Sequence, residues 1–232
     1  MNSETPVQRL RMTYAKGEAL KYISHLDLAR TWERAFRRAG LPMAYSQGFN
    51  PKPRFQIAAA LPVGVTGSSE MIDVWLTEPL SGAEALARLR PVLPRDLEVP
   101  HAEEVDLRAP ALQALMRAAG YRATVHTGEP SEAIESRIQA LFACPSIPRR
   151  RMQKGDWQTY DLRPLVQDIG VTPAAEGVLL LTMRLEASPQ GAGRPEEVLD
   201  ALGLALNLHN VERTQLYFDE SIMTSSPTTF TG

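Results

Sequence analysis

Residues 24–65 read SHLDLARTWERAFRRAGLPMAYSQGFNPKPRFQIAAALPVGV, a passage from a marked helix start through a basic helix into a hairpin punctuated by glycine and proline. Ser24 is suited to the N-cap, where its hydroxyl takes an orphan amide, and Asp27 three residues on favours the positive helix end. Leu28, Trp32, Ala35 and Ala39 then recur at helical spacing, with Ala29 and Phe36 beside them, up to Gly40, a residue suited to a left-handed cap. That face is predicted to be buried. Arg30, Arg34 and Arg37, with Arg38 adjacent, fall on another face, where their guanidinium groups can project together toward a phosphate backbone. The same residues also fit a plain solvated face in which Glu33 pairs with Arg37 across one turn.

Past Gly40, Lys52 and Arg54 alternate with Pro51 and Pro53 behind the turn formers Gly48 and Asn50. Prolines set the backbone in advance, so a loop of this composition loses less entropy on meeting a ligand. Tyr45, Phe49 and Phe55 supply rings that could stack on bases, although core packing is the commoner use of any single ring.

Working outward, the chain has 232 residues, 44% hydrophobic and 22% charged, with a formal net charge of -2. Such a length suits one large domain or two small ones, and two small ones fit the pattern better. A slightly acidic total means that any nucleic-acid role must rest on local basic clusters rather than on the overall field. No segment has the length of an apolar membrane span, and MNSETPVQ lacks the parts of a secretory signal, so a cytoplasmic location is expected. The single cysteine, Cys144, cannot form an intramolecular disulfide and excludes every multi-cysteine metal or iron–sulfur site within this chain; it reads as a buried structural thiol.

The predicted fold class is α+β. A strand over Gln8 to Lys16 precedes the helix, and strands follow at Phe55 to Ala60 and Met71 to Thr77, joined by VGVTGSS. Ser81 caps a second helix, SGAEALARLRPVLP, and Asp96 to Val99 closes the half, which gives the β-α-β-β-α-β, ferredoxin-like order. After a helical linker around Ala109 to Ala119 the order repeats: a strand at Tyr121 to Thr127, a helix at Ser131 to Ala143, strands at Arg149 to Tyr160 and Val178 to Glu186, a helix at Pro195 to Leu206 and a strand at Val211 to Phe218. The expected domains are therefore 1–107, a linker at 108–120, 121–219 and a frayed tail at 220–232. Two antiparallel sheets of this kind, each with helices on one face, could leave a ligand cleft between them.

A second basic cluster opens the second half's hairpin, where Arg149, Arg150, Arg151 and Lys154 interleave with Trp157 and Tyr160. It corresponds in order to the Lys52 and Arg54 segment; the alternative is a strand edge whose charges discourage aggregation. The loop SPQGAGRP at 188–195 places Arg194 before a helix start, where amides and a guanidinium could meet a phosphate, or where the glycines serve only a flexible connection. Four histidines, His25, His101, His126 and His209, form no metal or triad spacing in sequence; His25, in the first turn of the basic helix, is the one candidate acid or base. No metal or other cofactor is expected on the chain alone.

The stretch YISHLDLARTWERAFRRAGLPMAYSQGFNPKPRFQIAAALPVGV resembles the signature of the radical-SAM-linked domain of unknown function, and the resemblance returns in YDLRPLV, RPEEVL and ERTQLYF. That family is bacterial and is found fused to, or encoded beside, radical S-adenosylmethionine proteins. The resemblance implies a partner of that class in trans, since this chain lacks a cluster-binding cysteine triplet. A looser likeness in layout is to the tandem ferredoxin-like RNA-processing endonucleases of bacterial immunity. Together these point to an RNA-binding or substrate-recognition accessory of a radical SAM enzyme, in modification of tRNA or rRNA. Phosphates would be held by Arg30, Arg34, Arg37, Lys52, Arg54, Arg149, Arg151, Lys154 and Arg194. Two alternatives stay open: a metal-independent endoribonuclease using His25, and a protein-interaction scaffold that binds no RNA.

Overall fold

In the computed structural model of the chain, residues 5–153 and 155–219 are described. The chain is a mixed α+β protein and divides into two compact units, Met1–Leu115 with Phe218–Gly232, and Met116–Tyr217.

The first unit contains, in order, β1 (Gln8–Lys16), α1 (His25–Arg38), β2 (Phe55–Ile57), β3 (Val65–Leu76), α2 (Gly82–Leu89) and β4 (Leu97–Val105). Its strands lie as β2-β3-β1-β4 with every pair antiparallel. The expected connector VGVTGSS is largely strand, because β3 starts at Val65 and Lys16 pairs across to Gly67. Leu10 lies opposite Val74 and Met12 opposite Ile72, and these side chains are fully buried with Tyr14, Trp32 and Phe36. Burial at helical spacing on α1, and the alternate apolar residues Leu10, Met12 and Tyr14 on one face of β1, are what the apolar pattern requires. Four rings run through this core: Tyr14 to Trp32 at 5.2 Å, Trp32 to Phe36 at 5.3 Å, and Phe36 to Phe55 at 5.5 Å between centroids. Phe55 is thus a core residue.

The opposite face of β1 and β3 is also buried, and it carries charge. Asp73 accepts from both Arg9 and Arg11, with Asp73 0% and Arg9 1% exposed. Arg9 also donates to the carbonyls of Ala109 (2.5 Å) and Pro110 (3.1 Å), while the Gln113 side chain donates to the Ile57 carbonyl (2.5 Å). Residues 109–113 therefore strap this face, and the Arg9 guanidinium, besides meeting Asp73, fills its remaining donor capacity with two strap carbonyls. The helical linker expected over 108–120 is a single turn, α3 (Leu112–Leu115), and the next strand begins at once.

The second unit contains β5 (Met116–His126), α4 (Ser131–Ala143), β6 (Pro148–Gln153), β7 (Asp156–Asp161), β8 (Val166–Ala175), β9 (Val178–Ser188), β10 (Gly191–Ala192), α5 (Pro195–Ala201) and β11 (Leu208–Phe218). Its main sheet runs β8-β9-β5-β11, with β10 continuing along the β9 edge. The strand expected at Arg149 to Tyr160 is no part of that sheet: β6 and β7 pair with each other as a separate two-stranded ribbon. The strand that occupies the expected place is β8, whose alternation is masked in sequence by a bulge between Val166 and Asp168 and by Gly170 and Pro173. Proline is tolerated there because β8 is an edge strand. The helix expected to reach Leu206 stops at Ala201, and Gly203 adopts φ +71.

Candidate nucleic-acid interface

Helix α1 begins as its sequence dictates. The Asp27 amide donates to the Ser24 hydroxyl (3.1 Å), and that hydroxyl donates to the Asp27 carboxylate (2.7 Å). The Ser24 bond, with Arg30 adding to it, holds the Asp27 carboxyl below the usual carboxylate range. Arg30 is therefore an ion-paired residue, its Nη1 3.1 Å from Asp27 Oδ1. Arg34, Arg37 and Arg38 are exposed and, among the described residues, have no carboxylate partner; Glu33 does not pair with Arg37. Arg34 and Arg38 flank a shallow groove of about 210 Å³ floored by Leu20, Ile23 and Ala35. His25 stands exposed as the first residue of the helix.

Gly40, at φ +61, reverses the chain out of α1, and residues 44–54 form a hairpin. Arg54 donates its amide to the Ala44 carbonyl (2.7 Å), Ser46 to Lys52 (2.9 Å), and Lys52 back to the Ser46 hydroxyl (3.1 Å). The tip carries Phe49, fully exposed, with Tyr45 partly exposed. Phe49 thus escapes the core that a single ring would be expected to join. Lys52 is exposed, and Arg54 lays its guanidinium 4.7 Å from the Trp75 ring, which also receives Arg9 at 4.8 Å. Stacking fixes Arg54 in place and leaves its charge uncompensated.

In the second unit the β6–β7 ribbon follows α4 as the 44–54 hairpin follows α1, each lying before the next strand of its main sheet. Asp161 ties down its base by accepting from the amides of Ile147 (2.7 Å) and Arg163 (3.0 Å), bonds that also hold its carboxyl below the ordinary range. Arg149 lies opposite Tyr160, and Arg151 opposite Gln158, which puts all four on one face. Arg151 sits 4.0 Å from the Tyr160 ring, and Arg149 reaches Asp200 of α5 at 3.4 Å. Burial first and the neighbouring Glu197 second push the Tyr160 phenol up to about 12, with Arg151 and Arg194 pulling the other way. The structure thus gathers Arg149, Arg151 and Arg194 around Tyr160, a grouping the sequence order alone did not show. Arg149 Nε, the Tyr160 hydroxyl and Glu197 Oε2 are buried there without hydrogen-bond partners.

Arg149 has Asp200 as an ion-pair partner, and Arg194 stands at the start of α5 beside Glu196 and Glu197 of its first turn. Lys154 lies outside the described residues. On the ribbon's other face, Arg150 stands 5.5 Å from Trp157, which is 60% exposed, with Met152 beside them. Cys144, expected to be buried, is exposed at the end of α4. His126 and His209, far apart in sequence, bring their rings to 4.9 Å, but no third His, Cys, Asp or Glu among the described residues completes a metal site with them. No described helix is long and apolar enough to cross a membrane.

Comparison with known proteins gives the family and the fold. One chain of a Cbf5-Nop10-Gar1 complex matches at TM-score 0.51 and 15% identity, over 93% of this chain and 51% of its own. An archaeal box H/ACA sRNP Nop10-Cbf5 complex gives 0.47 at 14% identity (95% and 52% covered), and an H/ACA RNP bound to a substrate RNA gives 0.45 at 12% (90% and 47%). The chain spans about half the length of these solved chains. Likeness at this identity is likeness of fold alone. No curated protein matches. The sequence match, by contrast, runs over residues 9–195, which take in both the basic hairpin and the ribbon, and the chain belongs to DUF2344, a family of uncharacterized proteins conserved in bacteria.

Proposed function

We propose that the chain is an RNA-binding or substrate-recognition module, acting with a radical SAM enzyme carried on another polypeptide in the modification of tRNA or rRNA. The observation that carries the reading is the set of uncompensated cations in the first unit. Arg34, Arg37, Lys52 and Arg54 are exposed and lack carboxylate partners among the described residues, in a chain whose formal net charge is -2. Exposed cations without partners in an acidic chain suit a polyanion, since each phosphate contact releases counterions. Phe49 at the hairpin tip supports the same use: a fully exposed ring beside Lys52 offers a base a stacking surface. In the second unit the support comes from Arg150 and the exposed Trp157, which share one face of the ribbon.

The test is filter binding of bulk tRNA and rRNA fragments across a salt series. With about four phosphate contacts, log K is expected to fall against log salt with a slope of about -3 to -4. A flat response removes RNA. Co-purification with a cluster-bearing radical SAM protein, together with no RNA affinity, would assign the same arginines to a protein partner.

A further inference from the structure

We propose that the open face of the second unit's sheet is a binding site for a guanine nucleotide. The residues of this site are none of those that form the basic surfaces above.

The register of β5, β8 and β9 places polar residues in two rows on this face. Asp168, Arg184 and Gly120 form one row, and Gly170, Thr182 and Arg122 the next. The alternate residues, among them Tyr121, Met183 and Ile169, point to the buried side. A sheet face of this composition is not made to be covered by a helix. Glycines flank β9 on both sides, and the bulge after Val166 re-aims the start of β8 beside them. The result is a groove of about 490 Å³ lined by Gly120, Arg122, Asp168, Thr182, Arg184 and Tyr217, among others. That volume suits a small-molecule ligand. The glycines allow close packing here: a Cβ at position 120 would come to 3.2 Å from the Thr214 hydroxyl and 3.4 Å from the Tyr217 ring, and one at position 170 to 2.9 Å from the Thr182 hydroxyl.

The charges on this face are treated in two different ways. Arg122 is neutralised by Glu212 at 2.5 Å. Arg184 and Asp168 are direct cross-strand partners, yet they form no ion pair; Arg184 instead lays its guanidinium 4.1 Å from the Tyr217 ring. An exposed carboxylate and an exposed guanidinium held side by side but unpaired present an acceptor pair next to a donor fork. Guanine has the complementary edges: N1–H and the 2-amino group for the carboxylate, O6 and N7 for the guanidinium. Tyr217 holds the Arg184 guanidinium in place by stacking, and the Thr182 and Thr214 hydroxyls are within the same groove for ribose hydroxyls. Uracil has one N–H, adenine lacks the carbonyl, and cytosine has a single amino group, so each satisfies only part of the set. Because Asp168 balances Arg184, binding should depend weakly on salt, in contrast to polyanion binding at the basic surfaces.

The experiment uses the full chain, titrated with GMP, AMP, CMP, UMP and inorganic phosphate by ligand-observed NMR at low and high salt. A parallel arm uses a single-stranded uridine octamer with and without one central guanosine. GMP is expected to bind about tenfold or more tightly than the other nucleotides, and D168N and R184A each to weaken it about tenfold or more. If GMP fails but the guanosine octamer binds better than the plain one, and D168N removes that difference, the guanine comes from an RNA strand and the site stands. Equal binding of all four nucleotides, displacement of GMP by phosphate alone, insensitivity to D168N in a variant with wild-type thermal unfolding, or no guanine preference in either arm overturns it. A flat salt response of bulk RNA with guanine binding retained would remove the RNA proposal and leave this one in place.

Discussion

The guanidinium of Arg151 lies 4.0 Å from the centre of the Tyr160 ring, two residues along the ribbon from the point where Tyr160 faces Arg149. The tyrosine therefore has ribbon arginines and Glu197 of α5 as its charged neighbours. This couples the ribbon to the helix through a polar cluster, not an apolar one, and that cluster has consequences that can be measured.

The first concerns pH. The Tyr160 phenol, ordinarily 10.0, is pushed up to about 12. The folded chain thus keeps a proton that the unfolded chain has lost, so this contribution to stability is complete below pH 10 and disappears as pH rises from about 10 to about 12. Chemical denaturation of wild type and Tyr160→Phe across that window should show a steeper loss in wild type. Parallel curves would contradict it.

The second concerns the buried charges. Asp73→Asn leaves Arg9 and Arg11 in a dry interior without their carboxylate. Removing one partner of a buried pair costs about 3–5 kcal/mol. Urea unfolding should register a loss of that size, whereas Glu212→Gln at the exposed Arg122 pair should change stability by less than about 1 kcal/mol.

The third concerns Phe49, which touches solvent on all sides. Phe49→Ala should leave thermal unfolding unchanged and weaken RNA binding by about 1–3 kcal/mol, the usual worth of one stacked base. A drop in melting temperature with unchanged affinity would identify Phe49 as a packing residue.

The fourth separates the arginines of α1. Arg34→Ala and Arg37→Ala should each reduce the salt slope of RNA binding by about one unit. Arg30→Ala should do less, because Asp27 already offsets its charge. Equal effects at all three positions would show that the Asp27 pair opens on binding.

Where the signals are local, they were legible before any coordinates. The Ser24 and Ser81 caps, the buried stripe of α1, the left-handed Gly40 and the alternation of β1 all follow from interactions within one or two turns or across a single strand. The hairpin at 44–54 was legible for the same reason, since its prolines and glycine restrict the backbone residue by residue. β8 was not, because a bulge shifts its alternation midway and Pro173 is acceptable only at an edge, a fact that depends on its neighbours. The separate pairing of β6 with β7 was hidden too: a run of arginines followed by an aromatic segment has the same local preference whether it joins a sheet or pairs with itself.

The amino-acid order alone therefore determined α1, α2 and α4, the Ser24 and Ser81 caps, most of the strands and the positions of the cationic clusters, because dihedral preference and apolar periodicity act over a few residues. Tertiary structure decided which charges are available. Arg9 and Arg11 disappear under a strap onto Asp73, Arg149 is offset by Asp200, Arg34 and Arg37 remain uncompensated, and Asp168 meets Arg184 over a glycine-floored groove. Arg9, Arg11 and Arg149 are silenced by carboxylates 64, 62 and 51 positions away, and only the folded chain brings those partners within a few ångströms.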